Sequence, residues 1–255
     1  MISKKQLLSL YENGELYDLE NSIQQDIEFW KSITNHKKVS SFLELCCGTG
    51  RIGTEILPFL EVYHGIDLSE SFLKTFKQKI HKTNADFKLY NGDIKNFSTN
   101  RTYDIVAIPF NSMSHFYSLE DITKTFANVK RHMTENGKFV FDIHNPHLDF
   151  LIRDPNEKFI AKKFTDEITK KEITVYESNS YNKATQVNNI KWSYINEDNV
   201  EIKKLELPMR IFFPAEMDNY LKLNELKIIN KYGSFDKKQF QSSSFKQIYI
   251  CEKVK

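Results

Sequence analysis

Cysteine is scarce: there are three in 255 residues, with Cys46 and Cys47 adjacent and Cys251 alone near the end. No C-x-x-C pair and no histidine cluster offers zinc ligation, so no metal site is expected. No even-numbered cysteine framework points to secretion. Charge of one sign is also lacking. Lys and Arg number 36 against 34 Asp and Glu, a formal net charge of +2, too small for a field that gathers polyanions. The lysine pairs at 162–163, 170–171, 203–204 and 237–238 are scattered. They read as solvated surface, so no nucleic-acid partner is expected. Long apolar runs are missing too: Met1-Ile2-Ser3-Lys4-Lys5 leads into no stretch that would serve as a signal or a membrane span. A reducing cytoplasm is the expected compartment. The length suits one domain, or one domain with a small insertion.

What is present centres on Ser41-Phe42-Leu43-Glu44-Leu45-Cys46-Cys47-Gly48-Thr49-Gly50-Arg51. Phe42, Leu43 and Leu45 read as a short buried strand. Cys46 to Gly50 form a turn of small residues, and Arg51 to Leu57 read as a helix. A strand, a glycine turn and a helix in that order let backbone N–H groups approach a ligand closely. The expected ligand is nucleotide-like. Gly48, Gly50 and Gly53 fit G-x-G-x-x-G, which dinucleotide-binding enzymes share. Asp67 closes the next strand, Glu61 to Ile66. An acid there serves ribose hydroxyls in nicotinamide enzymes as well, so it does not discriminate.

The rest of the first half alternates strand and helix. Ile23, Ile27, Trp30 and Ile33 mark an amphipathic helix before the first strand. Ser69 caps a helix with Leu73, Phe76 and Ile80 on one face. A third strand runs from Asp86 to Tyr90, and a fourth from Tyr103 to Ile108. Ser118-Leu119-Glu120-Asp121 fits the capping pattern S-x-x-[DE]. It opens a helix striped by Ile122, Phe126, Val129 and Met133, with Gly137 as a left-handed stop. Lys138 to Ile143 is the fifth strand. This alternation predicts an α/β fold: a Rossmann-like, seven-stranded, mostly parallel sheet with helices on both faces. After residue 146 the period changes to two, at Ile173 and Val175, at Ile190, Trp192 and Tyr194, and at Leu205, Leu207 and Met209. An antiparallel β insertion of three or four strands is expected between the fifth strand and the last helix. The expected boundaries are 1–146, 147–213 and 214–255. Pro214 starts the last helix, and Leu226 to Ile229 and Gln247 to Cys251 are the last strands.

Glu44-Leu45-Cys46-Cys47-Gly48-Thr49-Gly50 resembles the E-x-G-x-G-x-G signature of class I S-adenosylmethionine-dependent methyltransferases. It departs once, with Cys46 where the first glycine is usual. Asn91-Gly92-Asp93-Ile94 resembles that family's G-D-[ILV] mark, and Tyr103-Asp104-Ile105-Val106 its fourth-strand mark. The closing segment, Tyr232 to Asp236 followed by Ser242-Ser243-Ser244, resembles the ending of sugar-amine N-methyltransferases that carry a β insertion after strand five. The resemblance implies S-adenosylmethionine as cofactor, held by Glu44, Cys46, Gly48, Gly50, Arg51, Asp67, Leu68, Gly92, Asp93, Ile94 and Pro109. Asp67 would take the ribose hydroxyls and Asp93 the adenine amino group. Tyr11 and Tyr17 lie where such enzymes fold an N-terminal segment over the cofactor, and Tyr17 would also face the reaction.

Methyl transfer is an in-line displacement at a sulfonium-activated carbon, and positioning can supply much of its rate. In this fold the loop after strand four sits beside the methyl group. It holds His115, whose ordinary pKa suits a base, and Asn111, which could hold the acceptor. His144, after strand five, competes for the base role. Arg210 could grip an acidic substrate group. The loop lacks [DN]-P-P-[YFW], which weakens nucleic-acid and glutamine-amide targets. The expected function is methylation of nitrogen or oxygen on a small molecule by a monomer or homodimer. An RNA or protein methyltransferase, a nicotinamide-dependent reductase and a non-catalytic cofactor-binding protein remain alternatives. The β insertion is expected to cover the acceptor or to make a dimer contact.

Overall fold

A computed structural model describes residues 11, 13–21, 24–36, 39–166 and 170–254. They divide into two compact units, one of residues 11–145 and 212–255, the other containing 146–211.

The larger unit is a seven-stranded sheet. Its strands are β1 (Ser41–Leu45), β2 (Val62–Asp67), β3 (Asp86–Asn91), β4 (Tyr103–Ile108), β5 (Met133–His144), β10 (Leu226–Tyr232) and β11 (Lys246–Lys253), in the order β10-β11-β5-β4-β1-β2-β3. β1 to β5 pair in parallel, whereas β11 runs antiparallel between β5 and β10. The order reverses between β1 and β4, so their carboxyl ends open the crevice where such sheets bind ligands. Alternation along the strands divides the core. Leu43, Leu45, Val106, Ile108, Phe139 and Phe141 join one cluster with Ile122, Phe126 and Val129 of α5 (Leu119–His132) and Met217 of α7 (Pro214–Leu223). Phe42, Ile105, Ala107 and Val140 face a second cluster, with Trp30 of α2 (Ile27–Thr34), Ile56 of α3 (Gly53–Ile56) and Phe76 of α4 (Glu70–Lys79). Helices therefore cover both faces, as a parallel sheet requires.

Asp104, at the amino end of β4, accepts the amides of Ser40 and Ser41 at 3.0 Å each and the Ser41 hydroxyl at 2.8 Å. The acid of the fourth-strand mark thus aligns β4 with β1. Ser69 and Ser118 cap α4 and α5 through Phe72 N and Asp121 N, as expected. Three expectations need correction. The helix after the glycine turn spans only Gly53–Ile56 and passes into a 3-10 turn at Leu57–Phe59, because Pro58 has no N–H to continue it. Met133 starts β5 rather than ending the helix stripe. Gly137 is no helix stop but lies inside β5, where an added Cβ would meet Thr134 N and Tyr103 O at 2.9 Å. Ile23 lies outside the described residues.

The smaller unit carries α6 (Leu148–Leu151) and an antiparallel sheet, β6 (Phe159–Thr165), β7 (Glu172–Asn182), β8 (Val187–Asn196) and β9 (Glu201–Arg210), in sequence order. Ile173, Val175 and Tyr194 are its buried apolar centre, with Phe164, Trp192 and Leu205 against them. Arg210 ends β9 and is 9% exposed.

Candidate active site

The turn after β1 holds three residues with left-handed backbone, Cys46 (φ 60°), Gly48 (φ 56°) and Gly50 (φ 81°). Left-handed backbone at Cys46 explains why glycine is usual there, since a side chain costs about 1–2 kcal/mol in that conformation. The Cys46 thiol packs against the core, and burial pushes its pKa up, so it stays protonated. An added Cβ at Gly48 would meet only the Phe72 ring at 3.7 Å, whereas one at Gly50 would strike the Phe76 ring at 2.0 Å. Gly48 therefore leaves open space in the turn, and Gly50 lets α4 pack against it.

Asp67 ends β2 beside this turn. Its Oδ2 accepts the Gly48 amide at 2.9 Å and its Oδ1 the Ser69 amide at 2.8 Å. A carboxylate has about four lone-pair sites, so both oxygens can still accept from a ligand. Burial raises its pKa, and the backbone amides oppose the shift. The end of β3 is tied alongside: Gly92 N donates to Asp67 O at 3.0 Å and Asn91 Nδ2 to Leu68 O at 2.9 Å. Asp93 accepts from Lys95 N at 3.0 Å and remains partly open. Ile94 buries its side chain in the core, so only its main chain could reach a ligand.

The N-terminal segment reaches the same turn. In α1 (Gly14–Glu20), Asp18 Oδ1 accepts the Thr49 hydroxyl at 2.5 Å and Oδ2 lies 2.5 Å from Lys79 Nζ. The Tyr17 ring stands 4.8 Å from Phe72 and 6.1 Å from Tyr11, and Tyr11 stands 5.6 Å from Phe72. Burial holds both phenols well above their ordinary pKa. Both tyrosines thus gather beside Asp67 and the turn.

Two acids and Arg51 are engaged behind the turn. Arg51 makes a two-point pair with Asp26, at 2.6 and 2.7 Å, and Asp26 also accepts from Trp30 Nε1 at 3.2 Å. Its guanidinium lies 4.6 Å from the centre of the Phe110 ring. Glu44 is buried and accepts the Tyr63 hydroxyl at 2.6 Å, and burial lifts its carboxyl to about 8. Arg51 and Glu44 thus brace the turn through protein partners.

Pro109 is buried at the start of the loop after β4, and Phe110 and Asn111 both have left-handed backbone. His115 ends a 3-10 turn, Ser112–His115, with Nε2 2.9 Å from the Tyr11 hydroxyl. Its Nδ1 is buried without a hydrogen-bond partner. Burial pushes its imidazole down to about 4. His144 ends β5. It keeps solvent exposure, yet the surrounding protein and then the Lys246 ammonium hold it below the ordinary histidine range. The structure thus brings His115 to Tyr11 and sets His144 opposite Lys246 in the ladder of β5 and β11. Lys246, Asp142, Asp26 and Phe72 were not among the expected site residues. Among the described residues no cluster of metal-ligating side chains occurs, and no helix is long and apolar enough to cross a membrane.

The His115 shift sets a stability expectation. Its folded pKa lies below the unfolded value of about 6.5, so the unfolded chain binds more protons between the two. This contribution is complete above the unfolded pKa and is lost as pH falls towards about 4. Between pH 7 and pH 5 the loss should be ~2 kcal/mol. Denaturant titrations of the wild type and His115→Gln check it. An equal pH slope in both would remove His115 as the source.

Residues 42–137 match the sequence profile of the family described as methyltransferase domain. The chain is 27% identical over 137 residues to the putative methyltransferase YqeM of Bacillus subtilis, covering 50% of this chain and 56% of that one. It is 24% identical over 138 residues to a dTDP-3-amino-3,6-dideoxy-alpha-D-glucopyranose N,N-dimethyltransferase of Streptomyces fradiae, covering 51% and 52%. The chain spans about half the length of the curated relatives it matches. A crystal structure of an S-adenosylmethionine-dependent methyltransferase from Clostridium acetobutylicum superposes with a TM-score of 0.76 at 21% identity, covering 94% of this chain and 97% of that one. Residues 42–137 thus match the methyltransferase domain family, and the fold of the chain is that of the class I S-adenosylmethionine-dependent methyltransferases.

Proposed function

We propose that the protein transfers a methyl group from S-adenosylmethionine to nitrogen of a small molecule. The observation that carries this reading is the 2.9 Å bond from the Gly48 amide to Asp67. It sets a half-buried carboxylate with accepting capacity beside the glycine turn that follows β1, where the strand order reverses. The open space at Gly48 fits a nucleoside there, and Asp93 at the end of β3 fits its base. S-adenosylmethionine bound in this crevice supplies an electrophilic methyl group.

The chain's own residues then bind and orient. Asp67 holds ribose hydroxyls and Asp93 an amino group of the base. Tyr11 and Tyr17 close over the turn and exclude water, and their ring faces suit a cationic sulfonium. His115 stays neutral at physiological pH because burial lowers its imidazole to about 4. A base works best with a pKa near the operating pH, so His115 orients Tyr11 rather than drawing off a proton. An amine acceptor bound unprotonated needs no base, which favours nitrogen over oxygen. The similarity to an amino-sugar dimethyltransferase supports a small-molecule amine, and the balanced charge supports it against polyanions.

Calorimetry and thermal melting with S-adenosylhomocysteine and with NADH test the reading. S-adenosylhomocysteine at a hundred times its Kd should stabilise the protein by about 2.7 kcal/mol, raising Tm by roughly 5–10 °C in a chain of this size. Binding of NADH without binding of S-adenosylhomocysteine would overturn it.

A further inference from the structure

Phe110 and Asn111 are adjacent, neither is glycine, and both hold left-handed backbone, at φ 57° and 59°. Each such residue costs about 1–2 kcal/mol. Outliers of this kind persist only where the surroundings over-determine them, and they gather at functional sites. Here the restraints come from two other strands. The Phe110 amide donates to Asp142 Oδ1 on β5 at 2.6 Å. Lys246 Nζ on β11 donates to Asp142 Oδ2 and to Asn111 Oδ1, at 2.8 Å each. Asp142 is fully buried and the Lys246 side chain is 18% exposed. The pair adds no net charge to the crevice, and breaking either partner would strand the other in a low-dielectric setting.

The ammonium also decides which way the Asn111 amide lies. Lysine offers three donors and no acceptor, so Asn111 must turn its oxygen to Lys246 and its NH2 away. Asn111 is 7% exposed at the mouth of the loop after β4. Arg51, 4.6 Å from the Phe110 ring centre, bounds the loop on the side of the glycine turn. The loop is thus held from three directions, and Lys246 lies far outside residues 42–137 that match the family.

We propose that Lys246 is a positioning residue for methyl transfer: anchored on Asp142, it keeps the loop after β4 in its left-handed form and aims the Asn111 amide nitrogen at the acceptor. This rests on the methyl-transfer reading above. A misplacement of about 1 Å at a site that works by orientation can lower the rate about a hundredfold, so the effect should fall on turnover rather than on cofactor affinity.

The variants are Lys246→Met and Lys246→Arg. Asp142→Asn/Lys246→Met is the third, since the single methionine variant leaves a buried carboxylate uncompensated and can fail to fold. Hydrogen exchange over residues 108–116 of the free protein, the amide proton resonance of Phe110, S-adenosylhomocysteine affinity, and methyl transfer to a panel of amino sugars are measured. In the methionine variants exchange should quicken at least tenfold and the downfield Phe110 resonance should be lost. S-adenosylhomocysteine affinity should stay within about threefold while kcat falls about a hundredfold. Lys246→Arg should restore most of the turnover. Unchanged exchange and kcat in the methionine variants would overturn the proposal. So would parallel loss of Tm, cofactor affinity and kcat with no rescue by arginine, which marks a merely structural pair. A wild-type protein that binds no S-adenosylhomocysteine would overturn the methyl-transfer reading instead, and loop exchange, read without cofactor, would still decide whether Lys246 holds the loop.

Discussion

Asp67→Ala should weaken S-adenosylhomocysteine binding more than a hundredfold. One charge-assisted hydrogen bond contributes roughly 1.5–3 kcal/mol, a factor of about 10–150 in Kd, and a ribose offers two hydroxyls to this carboxylate. The same substitution removes the acceptor of the Gly48 and Ser69 amides, which lie 2.9 and 2.8 Å from its oxygens. Each amide left without a partner costs about 1–3 kcal/mol unless water replaces the carboxylate. Relief of a buried charge offsets part of that, because burial already disfavours the ionised form of Asp67. The expected stability loss is therefore about 1–3 kcal/mol, small enough for the variant to remain folded. Asp67→Asn separates the two effects. Its carbonyl can serve one of the amides, but its NH2 opposes the other and cannot accept from a hydroxyl. Calorimetry on both variants, with denaturant titrations beside it, decides the matter. An unchanged Kd in folded Asp67→Ala would place the ribose elsewhere.

Why Asp67 could be read from the sequence and Lys246 could not is a matter of range. The strand, glycine turn and terminal acid are local features, and small residues at Gly48 and Gly50 announce left-handed backbone before any fold is known. Parity along Phe42, Leu43 and Leu45 likewise assigns each to its face of the sheet. Lys246 meets Asn111 across 135 positions and Asp142 across 104, and nothing in Ser244-Phe245-Lys246-Gln247 distinguishes it from a surface lysine. The Asp26–Arg51 pair was hidden in the same way: the arginine follows a glycine turn, where a ligand contact is the natural expectation, and its partner precedes a distant helix. β6 escaped for a different reason. Its register shifts between Ile160 and Lys162, and an irregularity of that kind breaks the period-two signal. The mostly parallel seven-stranded sheet, by contrast, was legible from the alternation of strand and helix periods, because parallel neighbours need a crossover connection, usually a helix.

Gly50→Ala should be the most damaging small substitution in the turn, and Gly48→Ala one of the mildest for the fold, although both glycines belong to one motif. At Gly50 the new methyl group would lie 2.0 Å from Cδ2 of Phe76 and 2.3 Å from Cγ, at a φ of 81°. Phe76 cannot swing aside. It is fully buried and packed edge-on against Tyr63 at 5.7 Å and Phe87 at 5.3 Å. Overpacking of about 1–3 kcal/mol adds to backbone strain of about 1–2 kcal/mol, for a total of roughly 2–5 kcal/mol and a fall in Tm of roughly 5–15 °C. At Gly48 the methyl would meet nothing nearer than 3.7 Å, so only the strain of about 1–2 kcal/mol remains. That methyl would instead stand in the open space beside Asp67, where a nucleoside is proposed to lie, and should weaken S-adenosylhomocysteine binding at least tenfold, the scale of one misplaced contact of about 1.4 kcal/mol. The two variants therefore dissociate stability from binding in opposite directions. Phe76→Leu in the Gly50→Ala background supplies the control: it makes room, so the double variant should recover part of the loss, a coupling of about 0.5–3 kcal/mol between residues in contact. Thermal melts and calorimetry on the wild type, the two glycine variants, Phe76→Leu and the double variant check the set. A Gly50→Ala variant as stable as the wild type, or a Gly48→Ala variant that binds the nucleoside normally, would mean that the turn is built around some other division of labour between its glycines.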